Sequence, residues 1–565
     1  MKSSLASILF ALVPLAGCAS DPATPDTSDE DGDYTGIEEA SEGLTDLSSE
    51  CTFTSSSGLL AVSLATGDVA MLAKSSSGAI TINGYACAGA TGSNVKRVQV
   101  TGTTGAQTLI LDFFGGTFAQ GAATGGGIDV DLAGGTDAFK IRGTKGADTF
   151  VFGANGIAFN ADNYKDITTA GVESYVVTMA DGADTFSGQG NTATGAAFAT
   201  AVTVYGGEGD DKITGGAGND TLDGGNGNDT FTAAAADGDD VMTGGAGVDV
   251  ADYSARTAAQ TLSIDGTAND GEGSEADNIS ADIETVKGGS AADTITGSAN
   301  ADTLYGGGGN DTITGGLGAD VLYGDAGDDL FVEGAAISGG DTFNGGAGSD
   351  TVSYASRTVM VTALIDGVAH SGESGENDKI MADVENLTGG TVGDMLTGSS
   401  SDNVIDGGGG NDTIFGGAGN DTLKGGAGND ALNGDLGDDR FDEGTAASGN
   451  DTIKGGAGVD LVDYSGRTND MTVVLDPASM SGESGESDVI YTDVENAVTG
   501  DGDDTITGNQ FDNQLEGGAG VDTINGAAGD DVLDGNAGAD VIDCGSGDGD
   551  ILLDTTVASS TGCEL

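Results

Sequence analysis

Between residue 206 and about residue 550, a large apolar residue returns in the same slot of a nine-residue unit. From Gly206 the chain reads GGEGDDKIT, GGAGNDTLD, GGNGNDTFT. The unit returns as GGGGNDTIT and GGLGADVLY (306–323), and as GGGGNDTIF, GGAGNDTLK and GGAGNDALN (407–433). It appears again as GGAGVDTIN, GAAGDDVLD and GNAGADVID (517–543). The shared pattern is G-G-x-G-x-D-x-U-x, where U is a large apolar side chain. Its first six residues predict a tight turn, because glycine permits positive φ and close backbone approach. The remaining x-U-x predicts a short strand that points one apolar side chain inward. A disordered tract rich in Gly and Asp would not need an apolar residue in slot eight, so the period argues for a packed repeat fold.

This nonapeptide resembles the calcium-binding repeat of the RTX (repeats-in-toxin) family across about 206–550. The resemblance implies an all-β fold, a parallel β-roll or β-solenoid in which two nonapeptides complete one coil of 18 residues. Turns 18 residues apart are then neighbours on one edge, and turns nine apart lie on opposite edges. Asp293, Asp311 and Asp329 are expected on one edge, with Asp302 and Asp320 on the other. Likewise Asp412 is expected beside Asp430, and Asp421 beside Asp439. In RTX rolls a calcium ion sits between neighbouring turns, held by the repeat Asp and by loop carbonyls. Carried over slot by slot, the implied Ca2+ ligands are Asp211, Asp220, Asp229, Asp240, Asp249, Asp293, Asp302, Asp311, Asp320, Asp329 and Asp350. The series continues with Asp394, Asp412, Asp421, Asp430, Asp439, Asp460, Asp504, Asp522, Asp531 and Asp540. Slot six is Asn403 and Asn513 in the rungs from Gly398 and Gly508, which also lack the second Gly, so weak or absent sites are expected there.

Energetics explain why such a tract would need a metal. One buried apolar group per nonapeptide contributes about 1.5–3 kcal/mol, whereas ordering nine backbone units costs roughly 9–18 kcal/mol before hydrogen bonds contribute. Two carboxylates about 5 Å apart at an effective dielectric near 20 repel by about 3 kcal/mol more. Calcium, a hard cation taking oxygen ligands, reverses that last contribution, and its binding free energy becomes folding free energy.

A longer repeat is superimposed. Asp252-Tyr253-Ser254-Ala255-Arg256-Thr257 returns as Ser353-Tyr354-Ala355-Ser356-Arg357-Thr358 and as Asp463-Tyr464-Ser465-Gly466-Arg467-Thr468. Each copy leads into an acidic loop and then Asp282-Ile283-Glu284, Asp383-Val384-Glu385 or Asp493-Val494-Glu495. This predicts modules in which a strand insertion interrupts the roll. The recurring Tyr and Arg are expected to cover the insertion's apolar edge and pair with local carboxylates rather than form a ligand site. His370, in one acidic loop, is expected to face water. Segment 51–205 echoes only the second half of the unit, as in Lys145-Gly146-Ala147-Asp148-Thr149-Phe150, and predicts a looser amino-terminal β-solenoid with longer coils. It holds Lys96, Arg97, Lys140, Arg142 and Lys145, which are expected to relieve local charge repulsion.

Composition narrows the function. With 17 Lys+Arg against 92 Asp+Glu the formal charge is −75, which excludes a basic nucleic-acid-binding surface. One His cannot build a histidine-pair zinc site. No Trp and scattered bases leave no visible catalytic constellation, so a non-enzyme is expected. The alternative is a β-solenoid polysaccharide lyase or epimerase with an RTX-like tail.

Residues 1–17 read as a signal peptide whose apolar run is too short to span a bilayer. It ends in Leu15-Ala16-Gly17-Cys18, which resembles the lipobox of bacterial lipoproteins and implies lipid on Cys18. Residues 18–50 then form an acidic tether. The other four cysteines predict two local disulfides, Cys51–Cys87 and Cys544–Cys563, the second tying down a carboxy-terminal cap. The expected divisions are 1–17, 18–50, 51–205, 206–254, 255–357, 358–467 and 468–565. Together these features predict an exported, outer-membrane-anchored calcium-binding protein. It would touch the membrane only through lipid and would serve adhesion, surface layering or contact with a matrix polymer.

Overall fold

A computed structural model of the chain describes residues 44–118, 127–160, 164–235, 237–553 and 557–563. The signal segment, Cys18 and the tether up to residue 43 lie outside the described residues. Among the described residues regular structure is all strand, apart from one 3-10 turn at Ser48–Glu50. The chain divides into two compact units. One runs to Gly182 and takes in Asn191–Gly195; the other comprises Ala183–Gly190 and Ala196–Leu565.

The first unit is a solenoid with long coils. Leu59–Ser63, Arg97–Thr101, Gly127–Asp131 and Ile167–Ala170 stack in parallel. So do Val69–Lys74, Thr108–Asp112, Ala138–Arg142 and Ser174–Asp181. The coil length varies, since Val98 stands beside Ile128 and Ile128 beside Ile167. Antiparallel hairpins fill the difference, such as Thr149–Gly153 against Gly156–Phe159. Alternating Leu60, Val62, Val98, Val100, Leu109, Leu111, Phe139 and Ile141 are fully buried. Cys51 is bonded to Cys87.

In the second unit the nonapeptide becomes a rung. Thr294–Thr296, Thr312–Thr314 and Leu330–Val332 stack in parallel, with Ile295 beside Ile313 and Ile313 beside Phe331. The apolar residue of each triplet is buried and its neighbours are half-exposed, which suits β-branched Thr on a pleated surface. Two sheets therefore receive alternate nonapeptides, as an 18-residue coil requires.

The modules change which sheet continues. At the first insertion one sheet ends on Asn278–Ile279, and a new one starts at Gln260–Ser263. At the second, a sheet ends on Lys379–Ile380 and another starts at Val361–Leu364. At the third, the ending strand is Val489–Ile490 and the starting strand Met471–Val474. The fifteen-stranded sheet begun at the first insertion passes through the other two and ends on Ile551–Leu552. Cys544 is bonded to Cys563 near that end.

Candidate metal centre

Slot six converts the coil stack into columns of carboxylates. The backbone N–H of each slot-six residue donates to Oδ1 of the slot-six Asp one coil later. Asp293 donates to Asp311 at 2.7 Å, Asp311 to Asp329 at 2.8 Å and Asp329 to Asp350 at 2.9 Å. Asp302 to Asp320 and Asp421 to Asp439 are both 2.8 Å. Asp394, Asp412, Asp430 and Asp451 follow one another in another column. Asp504, Asp522 and Asp540 form one more, and Asp211, Asp229 and Asp249 another. Asp439 reaches Asp460, and Asp220 reaches Asp240. The neighbours expected from 18-residue spacing are thus the residues brought together.

The second oxygen carries the chemistry. Oδ2 is buried without a hydrogen-bond partner at Asp211, Asp229, Asp249, Asp311, Asp320, Asp329, Asp350, Asp412, Asp421, Asp430, Asp439, Asp460, Asp504, Asp522 and Asp531. A buried unpaired carboxylate oxygen costs free energy unless a cation or proton meets it. Slot-one glycine lies against that oxygen. A Cβ on Gly206 would overlap both Asp211 Oδ2 and the Gly224 carbonyl of the next coil. Carboxylate and carbonyl oxygens therefore converge across a bare Cα, and an all-oxygen donor set suits a hard cation such as Ca2+. At slot four Gly227 has φ +135°, and a Cβ there would overlap the Gly209 carbonyl.

The charge shows in the acidities. Burial, reinforced by like-charged neighbours, pushes Asp211 up to about 8 and Asp311, Asp412 and Asp460 to about 7. Asp229, Asp421, Asp522 and Asp531 rise to about 6 for the same reasons.

The rungs are not equivalent. At Asp220, Asp293, Asp302 and Asp394, the slot-two N–H of the same turn donates to Oδ2 at 2.5–2.6 Å. At most other rungs, Asp504 with Gly500 excepted, slot two takes positive φ, as at Gly225 (+99°) and Asp325 (+70°), and Oδ2 of Asp229 and Asp329 is left unpaired. Asn403 and Asn513 keep their place in the column but spend the amide. Nδ2 donates to the Glu385 and Glu495 carbonyls at 2.8 and 2.6 Å. Those glutamates close the module signature. With Glu284 they occupy slot six themselves, accepting the N–H of Asp350, Asp460 and Asp249.

Column members that the strict nonapeptide frame misses are Asp341, Asp451 and Asp550, which accept from Asp320, Asp430 and Asp531. The first two end coils with three extra residues, and the third ends a coil with one. The signal was present in Asp341-Thr342-Phe343 and Asp451-Thr452-Ile453, which keep the second half of the unit.

Columns also end on the insertions. Asp240, Asp341 and Asp451 donate to Asp277, Asp378 and Asp488, whose Oδ2 accepts the Tyr253, Tyr354 or Tyr464 hydroxyl at 2.8–2.9 Å. The module Tyr and Arg are buried rather than spread over an edge, and Arg256, Arg357 and Arg467 each meet several carboxylates. His370 is exposed, 3.1 Å from Asp366. In the first unit Arg97 pairs with Asp129, and Arg142 and Lys145 lie over the Phe114 ring at 4.0 and 4.2 Å.

The family model of the RTX calcium-binding nonapeptide repeat matches residues 203–231, 232–253, 279–313, 296–331, 337–353, 388–423, 407–441, 441–466, 498–533 and 516–551. No curated protein matches the chain. The matched segments leave out 254–278, 354–387 and 467–497, which hold Arg256, Arg357 and Arg467 and where the columns end and restart. The matched segments are therefore RTX calcium-binding nonapeptide repeats, and the chain binds Ca2+ at multiple sites along them.

Proposed function

We propose that the chain is a non-catalytic, surface-tethered protein whose repeat tract folds and stiffens as Ca2+ fills the columns. The observation that carries this reading is the series of buried Asp Oδ2 atoms without a hydrogen-bond partner, each facing a glycine turn. In this reading the ligands are those unpaired Asp oxygens together with turn carbonyls. The ion supplies positive charge where burial and like-charged neighbours otherwise favour protons. Asp220, Asp293 and Asp394, already closed by their own turn, hold weaker sites, and the Asn403 and Asn513 rungs hold none. Extracellular calcium modules work at roughly 10⁻⁴–10⁻³ M, so such a chain stays loose inside the cell and sets outside it.

The reading of an outer-membrane lipid anchor rests on the lipobox around Cys18 and the acidic tether. With it, a stiff acidic tract suits adhesion, surface layering or contact with a matrix polymer. Circular dichroism of the full chain with calcium and with chelator tests the core of the proposal. A β-signal that forms only with Ca2+ is expected, and one unchanged by chelation would overturn it. Mass measurement of the Cys18 peptide from membranes tests the anchor; an unmodified thiol would remove it.

A further inference from the structure

We propose that each Tyr–Arg insertion holds a cation site of its own, built from side chains alone and taking Ca2+. The site lies where a column ends on the insertion and shares that column's last carboxylate, Asp277, Asp378 or Asp488. In the second module, oxygens of Glu333, Glu376 and Asp378 all lie within 4.8 Å of one another, and Asp237, Glu275 and Asp277 are gathered in the same way in the first. Calcium binds oxygens at about 2.3–2.6 Å, so ligands on opposite sides of one ion stand about 5 Å apart. Both sets fit around a single ion.

The resident arginine does not exhaust the charge. Arg357 Nη2 meets Glu333 at 2.7 Å and Glu376 at 2.6 Å, one cation for two acids. Asp341 stands beside them, 1% exposed, and its Oδ2 has no hydrogen-bond partner. The third module shows where that oxygen points. There Ser448 Oγ lies 3.1 Å from Asp451 Oδ2, 3.2 Å from Glu443 and 3.4 Å from Glu486. A hydroxyl has one proton, so it can serve only one of the three.

Comparison among the three copies separates a need for charge from a need for packing. The first module has Ala233 where the others have Glu333 and Glu443, and Asp237 where they have Ser338 and Ser448. The acid is rooted four residues further along, yet Asp237 reaches Arg256 Nη2 at 2.5 Å. Glu275 already meets that nitrogen at 3.1 Å, so satisfying the arginine does not require the second acid. An open cavity of about 340 Å³, lined by Arg256, Glu272 and Glu275, gives an ion a way in.

Terbium replacing calcium in the full chain provides the test, because the chain has no Trp and tyrosine must sensitise the emission. Tyr253, Tyr354 and Tyr464 touch Asp277, Asp378 and Asp488, so they are placed to sensitise an ion in the insertions. In the Tyr253→Phe/Tyr354→Phe/Tyr464→Phe variant most tyrosine-sensitised emission should disappear while the number of bound Ca2+ ions stays the same. In the Asp277→Asn/Asp378→Asn/Asp488→Asn variant one bound ion per insertion should be lost and the ions of the remaining column rungs kept. Emission unchanged in the first variant, or an unchanged ion count in a folded second variant, would overturn the proposal. If the Asn variant does not fold, the Phe variant alone decides. A wild-type chain with no bound calcium would instead count against the columns, so the two failures are distinguishable.

Discussion

Asp412→Asn turns a column rung into what Asn403 already is. Asp412 Oδ1 accepts the Asp394 N–H at 2.7 Å, and its Oδ2 is unpaired. Burial, then the charges of Asp430 and Asp394, lift the carboxyl from 3.8 to about 7. That rise corresponds to about 4 kcal/mol against the ionised folded form. With water at the turn screening about half of it, about 2 kcal/mol remains. The Asn amide can donate to the Asp394 carbonyl as Asn403 does to Glu385, adding about 1 kcal/mol. Without calcium at pH 8 the variant should therefore be locally more stable than wild type by about 2–3 kcal/mol. At about pH 4 the wild-type folded carboxyl is protonated, and the charge component of the advantage falls below about 1 kcal/mol. Calcium narrows the difference and can cancel it. A site with a Kd of 10⁻⁴–10⁻³ M gains about 1.4–2.7 kcal/mol at about 10 mM free ion, and the variant forfeits that increment. Hydrogen exchange over Met395–Thr397 and Thr413–Ala418 reads the local opening free energy, which suits a solenoid where each coil contacts only its neighbours. A variant less stable than wild type in chelator at pH 8, yet gaining as much from calcium, would refute the reasoning.

The whole tract should show opposite pH slopes with and without metal. Folded carboxyls at about 6 to 8 lie above the ordinary 3.8, so the metal-free fold binds more protons than the unfolded chain. Its stability is fully present below about pH 4 and lost as pH rises through 6 to 8, whereas calcium binding strengthens over that window. Melting followed by circular dichroism in chelator and in calcium checks both slopes. Phe331→Ala empties a fully buried slot-eight position and should cost about 3–5 kcal/mol at saturating calcium, measured by urea unfolding. Gly227→Ala places a Cβ against the Gly209 carbonyl at positive φ and should cost about 1–3 kcal/mol, while the slot-three change Asn226→Ala in the same turn should cost far less.

The nonapeptide was legible because it is local. Six residues specify a turn and three a strand, so the period predicted a packed repeat, the RTX resemblance supplied the roll with its 18-residue partners, and the cysteine count supplied the two short-range disulfides. Coils of 20 or 21 residues escaped that frame. Asp341 and Asp451 take their column places through hydrogen bonds to Asp320 and Asp430, and counting forward by nine from those residues passes over them. The unequal rungs were equally hidden. Whether Oδ2 is left for an ion at Asp229, or closed by its own turn at Asp220, depends on the φ of slot two, although both turns begin Gly-Gly. The insertions were legible only as a recurring Tyr and Arg. Their burial, and the carboxylates drawn around each arginine from distant stretches of chain, are products of stacking. Sequence alone determined the repeat, its inward residue and the acid in slot six, because each is set within nine residues. Tertiary structure decided which carboxylate oxygens are left unpaired and where columns end, because both depend on the neighbouring coil.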